Sequence, residues 1–554
     1  MGIFINIAIS KSVTKNEWES VYRESLGMMK VFPLAERRKV RIYGIDTICL
    51  VRSAERKDVY GWNKDKIRVG WNAIGDYEQM CTAENYYLPR DLVEENEYVE
   101  NCEDAMFGVL PCYLDYKWDD KRFDFIYEVW GSKTQGEPYH MYLLSIACMI
   151  ESRLGNKAFV YGDITRGQCV EAVNLANEIL DVPIEIPARC DYERLLTRID
   201  TMPVTQSEKL RIFDCFYLGN KDMEYGEFIR DHFSVRSCNM FWKKSFEDCS
   251  IGYYRFDTVF MNYLSWGFDF KKMFRFVNFM DKDGNPKYED FVKCVMDAKL
   301  HWPEKDCSDP LVIDQDESAP FSIYTYLAQF AFAGARNRKI NRYIPIEEIR
   351  STLKKEIGAN CDVDSIIDEY LEKESGNVRE NISDSPEENR KTSSDDPDVS
   401  EAFKQVMDIK LNQIQKDHET YDVAEFDDLI YYKKGNTIHP DIMKSLGKSF
   451  VFYSSITSEH RYSELMQGSY RERCEYLVEN NRSILIRDKD WRKIFRDIRE
   501  HKNSFERYYP MVRVKVESDG IADMIKGIVM NNDLYAYCAE LADKYGTESD
   551  TNDE

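Results

Sequence analysis

FDFIYEVWGSKTQGEPYHMYLLSIACMIESRLGNKAFVYGDITRGQCVEAVNLANEIL, residues 123–180, is the stretch from which the fold of the N-terminal part is read. Phe123 to Trp130 is rich in aromatic and β-branched residues and reads as a strand. Gly131 to Glu137 is a polar loop, and Pro138 stands where a first helical turn tolerates proline. Tyr139 to Leu154 then reads as a helix, Lys157 to Tyr161 as a strand and Gln168 to Leu180 as a second helix. Two consecutive strand–loop–helix units favour a parallel pair joined by a right-handed crossover. The loops that follow such strands lie on one sheet edge, where ligands commonly bind.

Working outward, the chain opens with a strand at Ile3 to Ile9, followed by Thr14-Lys15-Asn16-Glu17 in a capping-box pattern. Trp18, Val21, Tyr22, Leu26 and Met29 fall at helical spacing behind that cap, and the helix should end near Pro33. Val40 to Val51 reads as a returning strand, which makes residues 1–120 a first β-α-β unit packed with a second at 121–200. The expected class is therefore an α/β (or α+β) N-terminal part followed by mainly helical chain. Residues 201–372 read as helices rich in aromatics, including Ile323 to Ala335 with its alanine and glycine face. Residues 373–399 hold almost nothing apolar, cannot offset the entropy of ordering and read as a disordered linker. Residues 400–546 form a mostly helical C-terminal domain. In it Trp491, Ile494, Phe495 and Ile498 mark an amphipathic packing helix from Asp488 to Glu500. Residues 547–554 are an acidic tail.

A chain of 554 residues, 43% of them hydrophobic, is long enough for several compact units with their own cores. The net charge of −24 disfavours nonspecific contact with nucleic-acid phosphates and anionic lipids and steers basic partners toward the surface. Fifteen cysteines, scattered singly and with no C-x-x-C pair, fit reduced thiols of a cytoplasmic protein rather than a disulfide framework or a zinc module. The apolar N-terminal run is too short for a signal peptide, and no stretch approaches the roughly 20 apolar residues that span a bilayer.

Catalytic signatures are sparse. Gly131-Ser132-Lys133-Thr134 lacks the glycine a phosphate loop needs before its lysine, and Gly447-Lys448-Ser449 has Ile442 at the place of the first glycine. A geometric reading remains, in which Lys133, Thr134 and Gln135 of one strand-end loop face Asp163, Thr165, Arg166 and Gln168 of the next. His140 stands close in sequence as an acid or base. Free amides at the two helix N-termini, with Lys133 and Arg166, would suit a phosphate or carboxylate. A second candidate is the basic run Arg336-Asn337-Arg338-Lys339 with Arg342, which would hold an anion or an acidic segment. The seven histidines show no metal-binding spacing, so no metal and no cofactor is expected. Tyr253-Tyr254-Arg255-Phe256 and Tyr508-Tyr509-Pro510 are aromatic clusters suited to a recognition surface or to a core.

Together these features point first to a non-enzymatic protein-interaction or regulatory protein, of a defence or immunity type, that binds a basic partner. The alternative is an α/β enzyme or small-molecule sensor for a phosphate- or carboxylate-bearing ligand at the 131–137 and 163–168 loops. Nucleic acid, through the basic run at 336–342 or the basic face of the Asp488 to Glu500 helix, is disfavoured by net charge.

Overall fold

A computed structural model of the chain describes residues 3–60, 67–92, 104–113, 125–247, 249–281, 283–302, 342–382, 422–514 and 518–546. Strands β1 (Phe4–Ser10), β7 (Ile126–Lys133) and β8 (Ala158–Gly162) form one sheet in the order β7-β1-β8. β1 runs antiparallel to both neighbours. β7 and β8 are therefore parallel to each other, as the crossover helix α3 (Tyr139–Leu154) requires, but they are not paired. The expected adjacent pair is corrected by β1, which slots between them. The reason lies in burial: Ile5, Ile7 and Ile9 face one core while Ala8 faces another, so this strand is covered on both sides.

The helix α1 (Lys15–Val31) carries the expected capping box, with the Thr14 amide donating to Glu17 Oε2 at 2.8 Å. Its buried stripe includes Trp18, Val21, Tyr22 and Met29. The chain then does not return to the first sheet. Val40 to Val51 is split into β2 (Leu34–Ile42) and β3 (Ile45–Arg52), an antiparallel hairpin whose two-residue turn has Tyr43 at φ 48° and Gly44 at φ 85°. Positive φ at both turn positions matches the right-handed twist of the flanking strands. The first β-α-β unit expected over residues 1–120 is thus replaced by a separate antiparallel sheet, completed by β4 (Arg56–Tyr60), β5 (Ile67–Asp76) and β6 (Cys81–Pro89).

Aromatic side chains join the two sheets. The Trp71 and Trp130 rings meet edge-on at 6.1 Å, and Tyr86 meets Trp130 at 5.5 Å. The three indoles buried here each find an acceptor: Trp130 Nε1 donates to the Tyr87 carbonyl at 3.0 Å, Trp18 Nε1 to the Pro89 carbonyl at 3.1 Å and Trp71 Nε1 to Ser25 Oγ at 3.2 Å.

The far face of the first sheet, through Ala8, Phe159 and Tyr161, packs on the helical region. That region runs from α5 (Tyr192–Asp200) to a helix at Val363–Ile382. Val363 and Ile367 are buried in its core, and Arg350 and Lys354 pair with Asp364 on the outer side. Helical structure therefore continues ten residues into the segment read as linker, while the rest of that segment, the Ile323 to Ala335 helix and the 547–554 tail lie outside the described residues.

Residues 422–514 and 518–546 are mostly helical, as expected. They share a core with the second sheet: Ile42, Ile45, Cys49 and Val51 of the hairpin pack among Leu446, Trp491, Ile494 and Phe495. The Leu50 amide donates to the Ile486 carbonyl at 3.0 Å, so the segment before the Asp488–Glu500 helix lies along the outer edge of β3. The β5–β6 turn adds polar ties, with the Tyr77 hydroxyl on Asp488 at 2.8 Å and Lys526 Nζ on the Met80 carbonyl at 3.2 Å.

Candidate functional site

The first sheet ends on one side with the loops after β7 and β8 and the start of β1. The Thr134 amide donates to the Ile3 carbonyl at 2.8 Å, and Thr134 Oγ1 lies 2.7 Å from His140 Nδ1. His140 is fully buried, and burial pushes its pKa down to about 4 against an opposing hydrogen bond from Gln168. At neutral pH it is an uncharged imidazole. The helix α4 (Arg166–Asn177) is N-capped by Thr165, whose Oγ1 accepts the Gln168 amide at 3.1 Å, while Gln168 Oε1 accepts the Thr165 amide at 3.1 Å.

Thr134, His140, Thr165 and Gln168 are therefore brought together, as a structural lock of two loops. The charged candidates are held by other neighbours. Lys133 Nζ sits 5.2 Å over the Phe4 ring, Asp163 Oδ2 accepts the Phe4 amide at 3.0 Å, and Arg166 Nε donates to the Cys190 carbonyl at 3.2 Å. Gln135 turns the chain at φ 58° and is exposed, as are parts of Asp163 and Arg166. Arg336, Arg338 and Lys339 lie outside the described residues. Arg342 is described, and its Nη1 donates to the Leu264 and Phe268 carbonyls at 3.3 and 2.6 Å, closing a helix end in the manner of a cap.

The opposite end of the sheet holds a feature that sequence spacing did not signal. A pocket of about 410 Å³ is lined by Asp104, Glu151, Asn156, Arg194, Thr197 and Arg198, among others. Its floor is a buried ionic group. Arg198 grips Asp104 through Nε and Nη2 at 2.8 and 2.5 Å and reaches Glu151 Oε1 through Nη1 at 3.5 Å. Burial pushes the Glu151 carboxyl up, opposed by Arg198 and by the amides of Val160 and Ala188, which donate at 2.6 and 2.8 Å. The floor thereby ties α3, β8, the Ala188–Cys190 turn and α5 to Asp104, which stands at the head of the helix α2 (Ala105–Tyr113). Asp104 and Arg198 stand 94 positions apart, which is why no local motif betrays them.

Beside Glu151, the Cys148, Cys169 and Cys190 thiols hydrogen-bond in series, all buried and all pushed above the ordinary thiol range. Such thiols are poor nucleophiles at neutral pH. Among the described residues no group of three or more His, Cys, Asp or Glu is placed to hold a metal ion, and no helix is long and apolar enough to cross a membrane.

The two aromatic clusters part company. Tyr508, Tyr509 and Pro510 are core residues. Tyr253 and Tyr254 are 67% and 86% exposed, although Phe256, two residues further on, is buried. Comparison with protein-family models, curated proteins and solved structures found no match.

Proposed function

We propose that the chain is a non-enzymatic protein-interaction or regulatory protein of the cytoplasm, of a defence or immunity type, that recognises a partner with a basic surface. The observation that carries this reading is the Tyr253–Tyr254 pair. Two adjacent tyrosines stand in solvent at the start of the Tyr254–Ser265 helix, anchored from below by buried Phe256 and Phe260. Rigid, amphipathic tyrosines at low entropic cost are what protein interfaces use as anchors. Arg255 and Asp257 are exposed beside them. The net charge of −24 biases the choice of partner toward cations.

The test is native mass spectrometry of the full chain purified gently from its own cells, alongside the Tyr253→Ala/Tyr254→Ala variant. A basic protein held at fixed stoichiometry by the natural chain and lost from the variant is the expected result. A partner retained equally by both, or no partner at all, overturns the reading.

A second reading is an α/β enzyme or sensor for a phosphate or carboxylate ligand at the 131–137 and 163–168 loops. It is favoured by the exposure of Gln135, Asp163 and Arg166 at one sheet edge. Lys133→Ala/Arg166→Ala then abolishes binding of a small anion without unfolding the chain; unchanged binding removes it.

A further inference from the structure

The ion pairs in the floor of the pocket beside Arg198 leave one carboxylate over. Three acids line the pocket, Asp104, Glu151 and Glu185, against two cations, Arg194 and Arg198. Both guanidiniums are engaged. Arg198 is held by the two oxygens of Asp104 at 2.8 and 2.5 Å, and its Nη2 also donates to the Ala158 carbonyl at 3.0 Å. Arg194 pairs with Glu185 at 3.0 Å and donates to the Ile186 carbonyl. The acid that remains is Glu151. Its side chain is 5% exposed, and the cation it meets, Arg198 Nη1, stands at 3.5 Å, a long contact. Its close hydrogen bonds come from the Val160 and Ala188 amides, which carry no charge. Arg189, a further cation near it, donates to the Phe216 carbonyl at 2.8 Å and is not part of the pocket wall. A buried carboxylate without a close cation is costly, and a cation arriving from the pocket would relieve that cost.

The backbone adds to the same preference. The helix α3 ends at this pocket, where Ser152 of its last turn and Gly155, its C-cap, both form part of the wall. The carbonyl end of a helix carries partial negative charge and favours cations. Arg153, the basic residue of that last turn, is engaged with Glu24 at 2.7 Å and does not line the pocket. The rest of the wall is largely apolar. Ile186 and Ala188 lie on one part of it and Thr197 and Thr201 on another, and the two threonines turn their hydroxyls to the Glu193 and Arg198 carbonyls at 2.7 Å each.

We infer that this pocket is a binding site for an alkyl ammonium or guanidinium group, with the cation held between the Glu151 carboxylate and the carbonyl end of α3 and the aliphatic stem along Ile186, Ala188, Thr197 and Thr201. An anion would meet the surplus acid, and a neutral ligand would leave Glu151 as it stands. The volume of about 410 Å³ falls within the range of pockets that hold small ligands. The cation belongs either to a free small amine or to an arginine or lysine side chain of a protein, which presents the same group on the same stem. The site does not depend on the Tyr253–Tyr254 pair.

The experiment is isothermal titration calorimetry of the full chain with n-butylguanidinium, and with pentanoate and 1-pentanol as its anionic and neutral counterparts. The cation should bind one to one with a Kd of about 1 mM or tighter, and the other two should not bind. Glu151→Gln, which keeps the shape and removes the charge, should weaken binding at least about tenfold. Thr197→Phe, at an exposed position of the pocket wall, should fill the pocket and abolish binding, whereas Thr258→Phe, exposed on the Tyr254–Ser265 helix, should change nothing. Glu151→Gln also weakens the hold on two buried amides, so Thr197→Phe decides the matter if that variant does not fold. A short blocked peptide of glycine and serine around one arginine is titrated in parallel. Tighter binding than that of n-butylguanidinium supports the site with a protein side chain as the source of the cation, and weaker binding supports it with a free small amine. No binding of n-butylguanidinium, equal binding of pentanoate, or binding untouched by Thr197→Phe overturns the proposal.

Discussion

Replacing His140 by asparagine should remove a specific pH dependence of stability. In the folded chain the imidazole is buried, its Nδ1 is 2.7 Å from Thr134 Oγ1, and its pKa falls from the ordinary 6.5 to about 4. Between those values the unfolded chain binds a proton that the folded chain refuses, so stability rises with pH through that window and is lost as pH falls. At 1.36 kcal/mol per pKa unit, the loss is about 2 kcal/mol at pH 5 and levels off near about 3.4 kcal/mol below pH 4. Asparagine keeps a polar atom where Nδ1 stood but does not titrate. Urea unfolding of both proteins from pH 7.5 to pH 4 supplies the comparison. Buried carboxyls such as Glu151, Glu137 and Asp76, all pushed up by burial, act in the opposite direction in both chains and cancel in the difference. The stability gap between the two should shift in favour of the variant by about 2 kcal/mol on going from pH 7.5 to pH 5. Parallel curves, within about 0.5 kcal/mol, would refute the assignment of a buried neutral imidazole.

Asp104→Ala leaves the Arg198 guanidinium buried with a long contact to Glu151 as its remaining carboxylate, and should cost about 3–5 kcal/mol by chemical denaturation. Gly44→Ala meets no neighbouring atom but must hold φ at 85°, a backbone cost of about 1–2 kcal/mol. Gly226→Ala should be far worse, because its new Cβ would stand 1.7 Å from the Trp266 carbonyl oxygen. Tyr253→Ala/Tyr254→Ala should leave the melting temperature nearly unchanged, whereas Tyr508→Ala, in the core, should cost about 3–5 kcal/mol. Differential scanning calorimetry of the two variants separates surface from core.

Local signals in the chain were legible where one segment carries its own instruction. Thr14 and Glu17, the α1 stripe and the order strand–loop–helix–strand–helix over 123–180 correspond closely to the structure, because caps and periodicities act within a few residues. The partner of a strand is not such a signal. Nothing in Ile3 to Ile9 announces that it will separate β7 from β8. The hairpin at Tyr43-Gly44 was hidden because tyrosine rarely occupies positive φ, and glycine alone was too weak a marker. Thr165 and Gln168 were legible as polar residues near a helix start, yet their main occupation is each other. The alternation Arg37, Lys39, Arg41 is visible in the sequence, but it becomes one face only when those residues are known to form a strand.

The seal that Ile486 places on Leu50 has a consequence during synthesis. The two residues are 436 positions apart, so at about 5–20 residues per second a ribosome needs about 20–90 seconds to deliver the second after the first. Throughout that time the nascent hairpin carries an unsatisfied outer edge and an uncovered apolar face at Ile42, Ile45, Cys49 and Val51. The N-terminal sheet thus matures last although it is made first. A chain that stops before residue 486 leaves that edge and that apolar face without the cover the full chain gives them, a surface of the kind that invites aggregation.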